Sequence, residues 1–263
     1  MNTLYYFGLV HNIMESLQEF HYNSIYELAD LIDSSVKAEV DFWGHNEEYF
    51  IEISSKFSKD TLLHLYIVIT ATNFYRRDFK KNPELYEEEE DLEKWYILFD
   101  TYSIEFKRLN LKQIQSSSEW FETNTEAFFA LFEKMAEEVF YILFANRDFL
   151  LRFNSIAAKT IKETRFPINL VTKKGTIRRV TIPQWVKKAV YHREKGRCVF
   201  CNADLTGLIN IFNTSNYDHI VPLDLFGAND PCNIQLSCEK CNKSKKNKVG
   251  ATSNFYTPWW KNK

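Results

Sequence analysis

Four of the five cysteines in this 263-residue chain fall into two Cys-x-x-Cys pairs, Cys198 with Cys201 and Cys238 with Cys241, and 36 residues separate the pairs. No other feature constrains the fold as much. Each pair of thiolates spans one edge of a tetrahedron, and two pairs close a four-coordinate structural zinc site with no position left for a substrate. The segment from 202 to 237 must therefore leave one point in space and return to it. A redox role is the competing reading of a single Cys-x-x-Cys, but it gives the second pair no purpose. Disulfides need an oxidising compartment. The first 15 residues hold no Lys or Arg and lead to no small-residue cleavage site, so a reducing cytoplasm is the expected location. Cys232 is left over and reads as a small, partly buried residue.

The charge distribution divides the chain. Residues 1–164 hold 16 Lys and Arg against 29 Asp and Glu, whereas residues 165–263 hold 17 against 6. A basic part confined to about 100 residues points to a polyanionic partner for the C-terminal part and none for the N-terminal part. Attraction between the two halves is the other reading of the same asymmetry. No run of 18 apolar residues exists: Thr61 to Tyr75 contains His64, and Ala127 to Ala145 is interrupted by Glu133, Lys134, Glu137 and Glu138. A membrane span is excluded on that count.

The acidic part, 1–164, reads as an all-α domain. Ser24 with Glu27 resembles a capping box ahead of Ile25, Leu28, Ile32, Val36 and Val40, the spacing of one helix face. Leu62 to Ile69 is apolar nearly all round and predicts a helix buried on most sides. Leu92, Trp95, Phe99, Tyr102 and Phe106 keep steps of three and four. A further helix is expected from a Thr123 and Glu126 cap through Phe128, Leu131, Phe132, Met135, Val139 and Ile142, continuing after a break near Asn146 to about Glu163. The acidic run from Glu84 to Glu93 is expected to be a solvated loop and helix start, where negative charge suits the helix dipole. Phe128, Phe129, Phe132, Phe140 and Phe144 sit at helical spacing, as core or as an oligomer interface.

The texture changes at Arg165, the expected boundary of a second domain, 165–263. Ile168 to Ile182 alternates around Lys173, Lys174 and Gly175 and predicts a basic hairpin. Pro183 then opens a short helix with Trp185, Val186, Ala189 and Val190 on one side, ending at Gly196. The tail Phe255, Tyr256, Trp259 and Trp260 is expected to pack back on this domain, with stacking on unpaired bases as the other reading.

Between the cysteine pairs stands Tyr217-Asp218-His219-Ile220-Val221-Pro222, then Asn229-Asp230-Pro231-Cys232-Asn233-Ile234-Gln235-Leu236, and Asn242 with several lysines follows the last cysteine. Over residues 183–250, about a quarter of the chain, this order resembles the zinc-bearing branch of the HNH endonuclease family. The resemblance implies a ββα-metal fold, so the whole chain is expected to be α+β, an all-α part followed by a small ββα unit. The first strand would carry Asp218 and His219, a loop would hold Asn233 before the second strand, and a helix starting near Cys238 would carry Asn242. The third position of the motif, often His, is Asn here, a hard oxygen donor that favours magnesium or manganese as the catalytic ion.

The chemistry follows from what phosphodiester hydrolysis needs: an activated water, countercharge for the transition state, and stabilisation of the departing 3′ oxygen. His219 suits the first task as general base. Asp218 and Asn242 would hold the catalytic ion, and Asn233 would fix His219 or its loop. On a regular strand Asp218 and His219 point to opposite sides. Lys173, Lys174, Arg178, Arg179, Lys243, Lys245, Lys246 and Lys248 would bind phosphates without reading bases. DNA is the expected partner, and the motif admits RNA as well. One hydrolytic centre per chain makes a homodimer or protein partner, met through the helical half, the expected route to a double-strand cut. By resemblance the expected setting is bacterial restriction or phage defence. The rival class is a zinc-stabilised nucleic-acid-binding module without hydrolysis.

Overall fold

A computed structural model describes residues 20–42, 44, 46–86, 88–109, 116–206, 216–245 and 249. Among them Tyr22–Lys37 (α1), Glu47–Ser55 (α2), Leu62–Lys81 (α3), Glu93–Thr101 (α4), Ser117–Thr123 (α5), Thr125–Phe144 (α6) and Arg147–Glu163 (α7) are helices. Gln184–Arg193 (α8), the strands Tyr217–His219 (β1) and Ile234–Leu236 (β2), and Glu239–Lys245 (α9) follow. The layout is α+β, with one small antiparallel sheet near the C-terminus that pairs Asp218 with Gln235 and His219 with Ile234. None of the described helices is long and apolar enough to cross a membrane.

Helix α3 is buried on nearly every side from Leu62 to Thr72, as its nearly all-round apolar pattern predicts, and it packs chiefly on α6. Aromatic rings fill the space around this pair. Phe128 of α6 is fully buried, with Trp95, Phe99 and Trp120 edge-on at 5.0, 5.0 and 5.5 Å and Phe121 stacked at 4.3 Å. Phe128 and Phe132 are thus core, whereas Phe140 and Phe144 are half-buried at its edge. The break expected near Asn146 is real: its side chain caps α7 by accepting from the Phe149 N–H.

Four helix boundaries differ from the periodicity, two of them where a distant partner outweighs a local cap. Ser24 and Glu27 form no capping box, since α1 already begins at Tyr22, where the His21 N–H donates to the Glu138 carboxylate at 2.6 Å. Val40 lies beyond the end of that helix and is exposed. Helix α4 stops at Thr101, and Phe106 reaches the same face from an extended segment by stacking on Tyr96 and Phe99. Thr123 does not open α6 but closes α5. Asn124 joins the two, its Oδ1 accepting from the Lys107 N–H and its Nδ2 donating to the Lys107 and Trp120 carbonyls. The acidic run, Glu87 lying outside the described residues, forms two 3-10 turns leading into α4.

The C-terminal part is less regular. The expected hairpin is a tight turn held by one bridge, Val171 with Ile177, and by two flanking backbone bonds, with Gly175 at φ +78°. In α8 the buried side is turned from the expected one: Trp185 is exposed, and Lys187 joins Val186 and Val190 inside. Two apolar clusters result. The smaller holds Val186, Val190, Cys198, Leu205, Tyr217, Ile234 and Leu236, while the larger, built on the helices, also takes in Ile177, Ile220, Ala228 and Cys232. Packing therefore crosses residue 164. Cys232 is fully buried in it, more deeply than the sequence suggests. An ion pair that also crosses, Arg147 with Glu194 at 3.4 Å, runs against the overall asymmetry, with the base on the acidic half. Apolar burial, hydrogen bonds and this ion pair join the halves.

Two stability outcomes follow. Phe128→Ala opens a cavity among four rings and should destabilise the chain by about 3–5 kcal/mol in chemical denaturation. His64 completes a capping box with Thr61 and stacks on Phe140 at 4.4 Å, and burial pushes its imidazole down to about 4 although Asp60 pulls it up. Because the unfolded ring takes up a proton first, near 6.5, stability is present above that pH and is lost as pH falls toward 4. His64→Gln keeps a side-chain acceptor for the cap. Denaturation midpoints of the two proteins compared from pH 7 to pH 4 should converge as pH falls.

Candidate active site and metal centre

The cysteine sulfurs converge. All four lie within 4.8 Å of one another, and Cys201 and Cys238 Sγ are 3.8 Å apart. A tetrahedral ion with bonds of about 2.3 Å puts its sulfur ligands about 3.8 Å apart. Local geometry builds the frame: Cys198 lies just past the turn closed by Gly196 at φ +65°, and the Cys241 N–H donates to Cys238 Sγ at 3.4 Å where α9 begins. Burial raises the Cys198 thiol, but the backbone N–H groups of Cys201, Cys238 and Phe200 outweigh it and leave the thiol below its ordinary value. The four cysteines are placed to hold a zinc ion. The cluster around them buries only a few large side chains, each worth about 1.5–3 kcal/mol, so ion binding should carry much of the folding of this region.

Asp218 and His219 stand on β1, which alternates buried, half-buried, buried from Tyr217 to His219 as a regular strand does. Their surroundings differ accordingly. The Asp218 carboxylate accepts from Lys245 Nζ at 2.6 Å and from Gln235 Nε2 at 3.5 Å. The Lys245 ammonium also donates to the His219 carbonyl, fastening the end of α9 to the strand. Lys245 is therefore buried, with 3% of its side chain exposed, and does not lie on the open phosphate-binding face expected for it. Asn242 is half-buried one turn earlier on the same helix. Asp218 and Asn242 each offer a hard oxygen donor, and the Asp218 carboxylate is already neutralised by the Lys245 ammonium.

His219 is 1% exposed, and neither ring nitrogen has a hydrogen-bond partner among the described residues. Burial pushes the ring down to about 3, the Arg179 and Lys245 cations add to that, and the Asn229 amide opposes it. The chain after it is clamped by Asn233. The Ile220 N–H donates to the Asn233 main-chain oxygen and the Val221 N–H to its Oδ1, while its Nδ2 donates to the Val221 and Ala228 carbonyls. Asn233 thus fixes the loop and not the ring itself. Gly227 is obligatory in this clamp, because a Cβ there would stand 2.0 Å from the Val221 carbonyl oxygen.

Lys173, Lys174, Arg178 and Arg179 are exposed, and Lys243 is exposed while pairing with Glu239 at 2.6 Å. Lys246, Lys248 and the aromatic tail Phe255, Tyr256, Trp259 and Trp260 lie outside the described residues. Sequence reasoning missed two residues, Asn229 and Asp230, which are fully buried beside the site and bonded into the helical half. Their signal was present as a polar pair directly ahead of Pro231.

Cys198→Ser and Cys241→Ser should each bring zinc content per chain well below one by elemental analysis and lose the ββα unit, while the far-ultraviolet helix signal largely persists. Zinc-free protein of parental stability would contradict this.

No curated protein and no solved structure matches the chain. Residues 198–248, about a fifth of its length, match the family model of HNH endonucleases, which places that likeness in the C-terminal part together with the four cysteines positioned to bind a metal.

Proposed function

We propose that the C-terminal part is a metal-dependent endonuclease that hydrolyses phosphodiester bonds of DNA. What carries the reading is one juxtaposition: the cysteine frame holds a ββα unit that presents Asp218 and His219 on a strand and Asn242 on the following helix, all inside the family match. A water oxygen attacks phosphorus, its proton passes to a His219 ring nitrogen, and the bond from phosphorus to the 3′ oxygen breaks, the oxygen keeping the electron pair and taking a proton from solvent. Asp218 and Asn242 would hold a magnesium or manganese ion, which would supply countercharge for the transition state. Lys245 neutralises the Asp218 carboxylate. Lys173, Lys174, Arg178 and Arg179 draw in the backbone without reading bases. The helical half serves recognition, assembly or regulation, and the resemblance alone supports a setting in bacterial restriction or phage defence.

A second reading has its own observation. A buried His219 with no hydrogen bond in place, pushed down to about 3, is a weak base as it stands, which suits a zinc-stabilised nucleic-acid-binding module without hydrolysis.

Replacing the proposed base separates the two. His219→Ala should lower plasmid cleavage by about 10²–10⁴, the range for general-base loss, with zinc content and DNA binding retained and no rescue by metal. Asp218→Ala and Asn242→Ala should instead recover part of their rate as magnesium or manganese is raised. A folded, zinc-loaded His219→Ala protein that cuts at the parental rate rules out His219 as the base.

Phosphate contacts have a separate signature. The double variant Lys173→Ala, Lys174→Ala should reduce the slope of log affinity against log salt by about 2, close to one unit per lost contact. An unchanged slope in a binding titration would remove these lysines from the interface.

A further inference from the structure

The helical half carries a cleft that the nuclease reading does not use. It opens between α2, α3 and α6 and encloses about 710 Å³, with Leu65, Val68 and Ile69 of α3 and Phe129 of α6 in its wall. Asp60, two residues ahead of α3, and Glu133 and Glu137, one turn apart on α6, also line it, against one ammonium, Lys134. None of these three carboxylates has a salt bridge or a side-chain hydrogen bond among the described residues, whereas Glu27, Asp33 and Glu122 elsewhere on the helical half are paired. Their fields meet inside the cleft: burial pushes the Tyr49 phenol up, and the Asp60, Glu52 and Glu133 carboxylates add to it. An apolar floor beside an acidic rim fits a lysine, whose methylene stem lies on the first while its ammonium faces the second.

Two such lysines stand at the tip of the basic turn. The Thr172 N–H donates to the Thr176 carbonyl at 2.8 Å and the Gly175 N–H to the Thr172 carbonyl at 3.0 Å, while Ile177 anchors the base of the turn in the main apolar cluster. Lys173 and Lys174 are exposed, and neither ammonium pairs with a carboxylate among the described residues. A Cβ built on Gly175 would meet nothing within 4 Å, so no described part of the chain covers the tip. Turn and cleft are tied to one frame. Asn229 donates to the Arg178 carbonyl, three residues past Gly175, and to the Ser55 carbonyl at the end of α2. Tyr49, in the cleft wall, lies six residues before Ser55, about 9 Å along that helix. Within one copy no ion pair joins the turn to the cleft among the described residues, which leaves both charges for a second copy to meet.

We propose that two copies of this chain associate through these surfaces, the turn carrying Lys173 and Lys174 in each copy entering the acidic cleft of the other. A two-fold arrangement makes the contact twice. Surface ion pairs are individually weak and screened by salt, so this association is reversible and belongs to low ionic strength. The same turn is part of the phosphate-binding set of the nuclease reading, and DNA therefore competes with the second copy for it. Only this competition rests on that reading.

The test uses the full, zinc-loaded chain, with its mass followed by sedimentation. At low salt the parent should run as a dimer, and its mass should fall to that of the monomer as salt is raised. Lys173→Glu with Lys174→Glu, and separately Glu133→Lys with Glu137→Lys, should each weaken self-association by more than about 10-fold, because like charges then face each other. All four positions are exposed, so these changes leave the core untouched. An equimolar mixture of the two variants should form dimers again, since both contacts of the mixed pair once more join opposite charges. Zero-length carbodiimide coupling of mixed isotope-labelled and unlabelled copies should link Lys173 or Lys174 to Asp60, Glu133 or Glu137 between copies. A parent that is monomeric at low salt, a variant that still dimerises as the parent does, or a mixture that stays monomeric would overturn the proposal. So would coupling confined to one copy, or coupling of the cleft to Lys261 and Lys263, which would make the chain's own turn or tail the occupant. Short duplex DNA added without a divalent ion should turn parental dimers into DNA-bound monomers, and dimers that persist at saturating DNA would overturn the competition. If the Lys173→Glu, Lys174→Glu variant binds DNA as tightly as the parent, the phosphate-binding reading of the turn fails while the association between copies stands.

Discussion

A carboxylate with no exposure to solvent, Asp230, lies against the first turn of a 20-residue helix that is itself buried. Burial pushes that carboxyl up to about 6, opposed by the N–H groups of Leu62 and Cys232. A polar group so placed is tolerable only while its hydrogen bonds are made. Around it every neighbour is constrained: Asn229 spans α2 and the basic segment, Cys232 sits in the main core, and Asn233 closes the loop back on Val221. The five residues from 229 to 233 are the point where helical half, basic segment and β-ribbon meet.

The second constraint is the cysteine frame. It adjoins the smaller apolar cluster, where a metal can replace the core that the segment lacks. Between these two fixed points lie β1 and α9, tied to each other by Lys245 through Asp218 and the His219 carbonyl. The loop that follows His219 is held by Asn233, and Asn229 and Asp230 of the same loop are bonded to helix termini. Loops bonded in this way transmit shifts of their supports.

Much of this was legible in the sequence, where chemistry is local. Cysteine spacing gave the metal centre, apolar periodicity gave α3, α6 and α7, and the motif order placed β1, β2 and α9. What was not legible depended on partners far along the chain. The capping pattern at Ser24 is overridden by Glu138, 117 residues from His21. Lys245 reads as one of several surface lysines, and only the approach of α9 to β1 turns it into a partner of Asp218. Asn229 and Asp230 stand in the motif stretch with no role assigned from sequence; their partners, Ser54, Ser55 and Leu62, are supplied by tertiary folding.

The buried His219 makes hydrolysis the claim that most needs a direct measurement. Supercoiled plasmid incubated with the full, zinc-loaded chain should be converted to nicked circles when magnesium or manganese is added and should stay supercoiled without a divalent ion. DNA that is bound in a gel shift yet remains uncut under every metal tried, with zinc content at one per chain, would show a binding module in place of a nuclease.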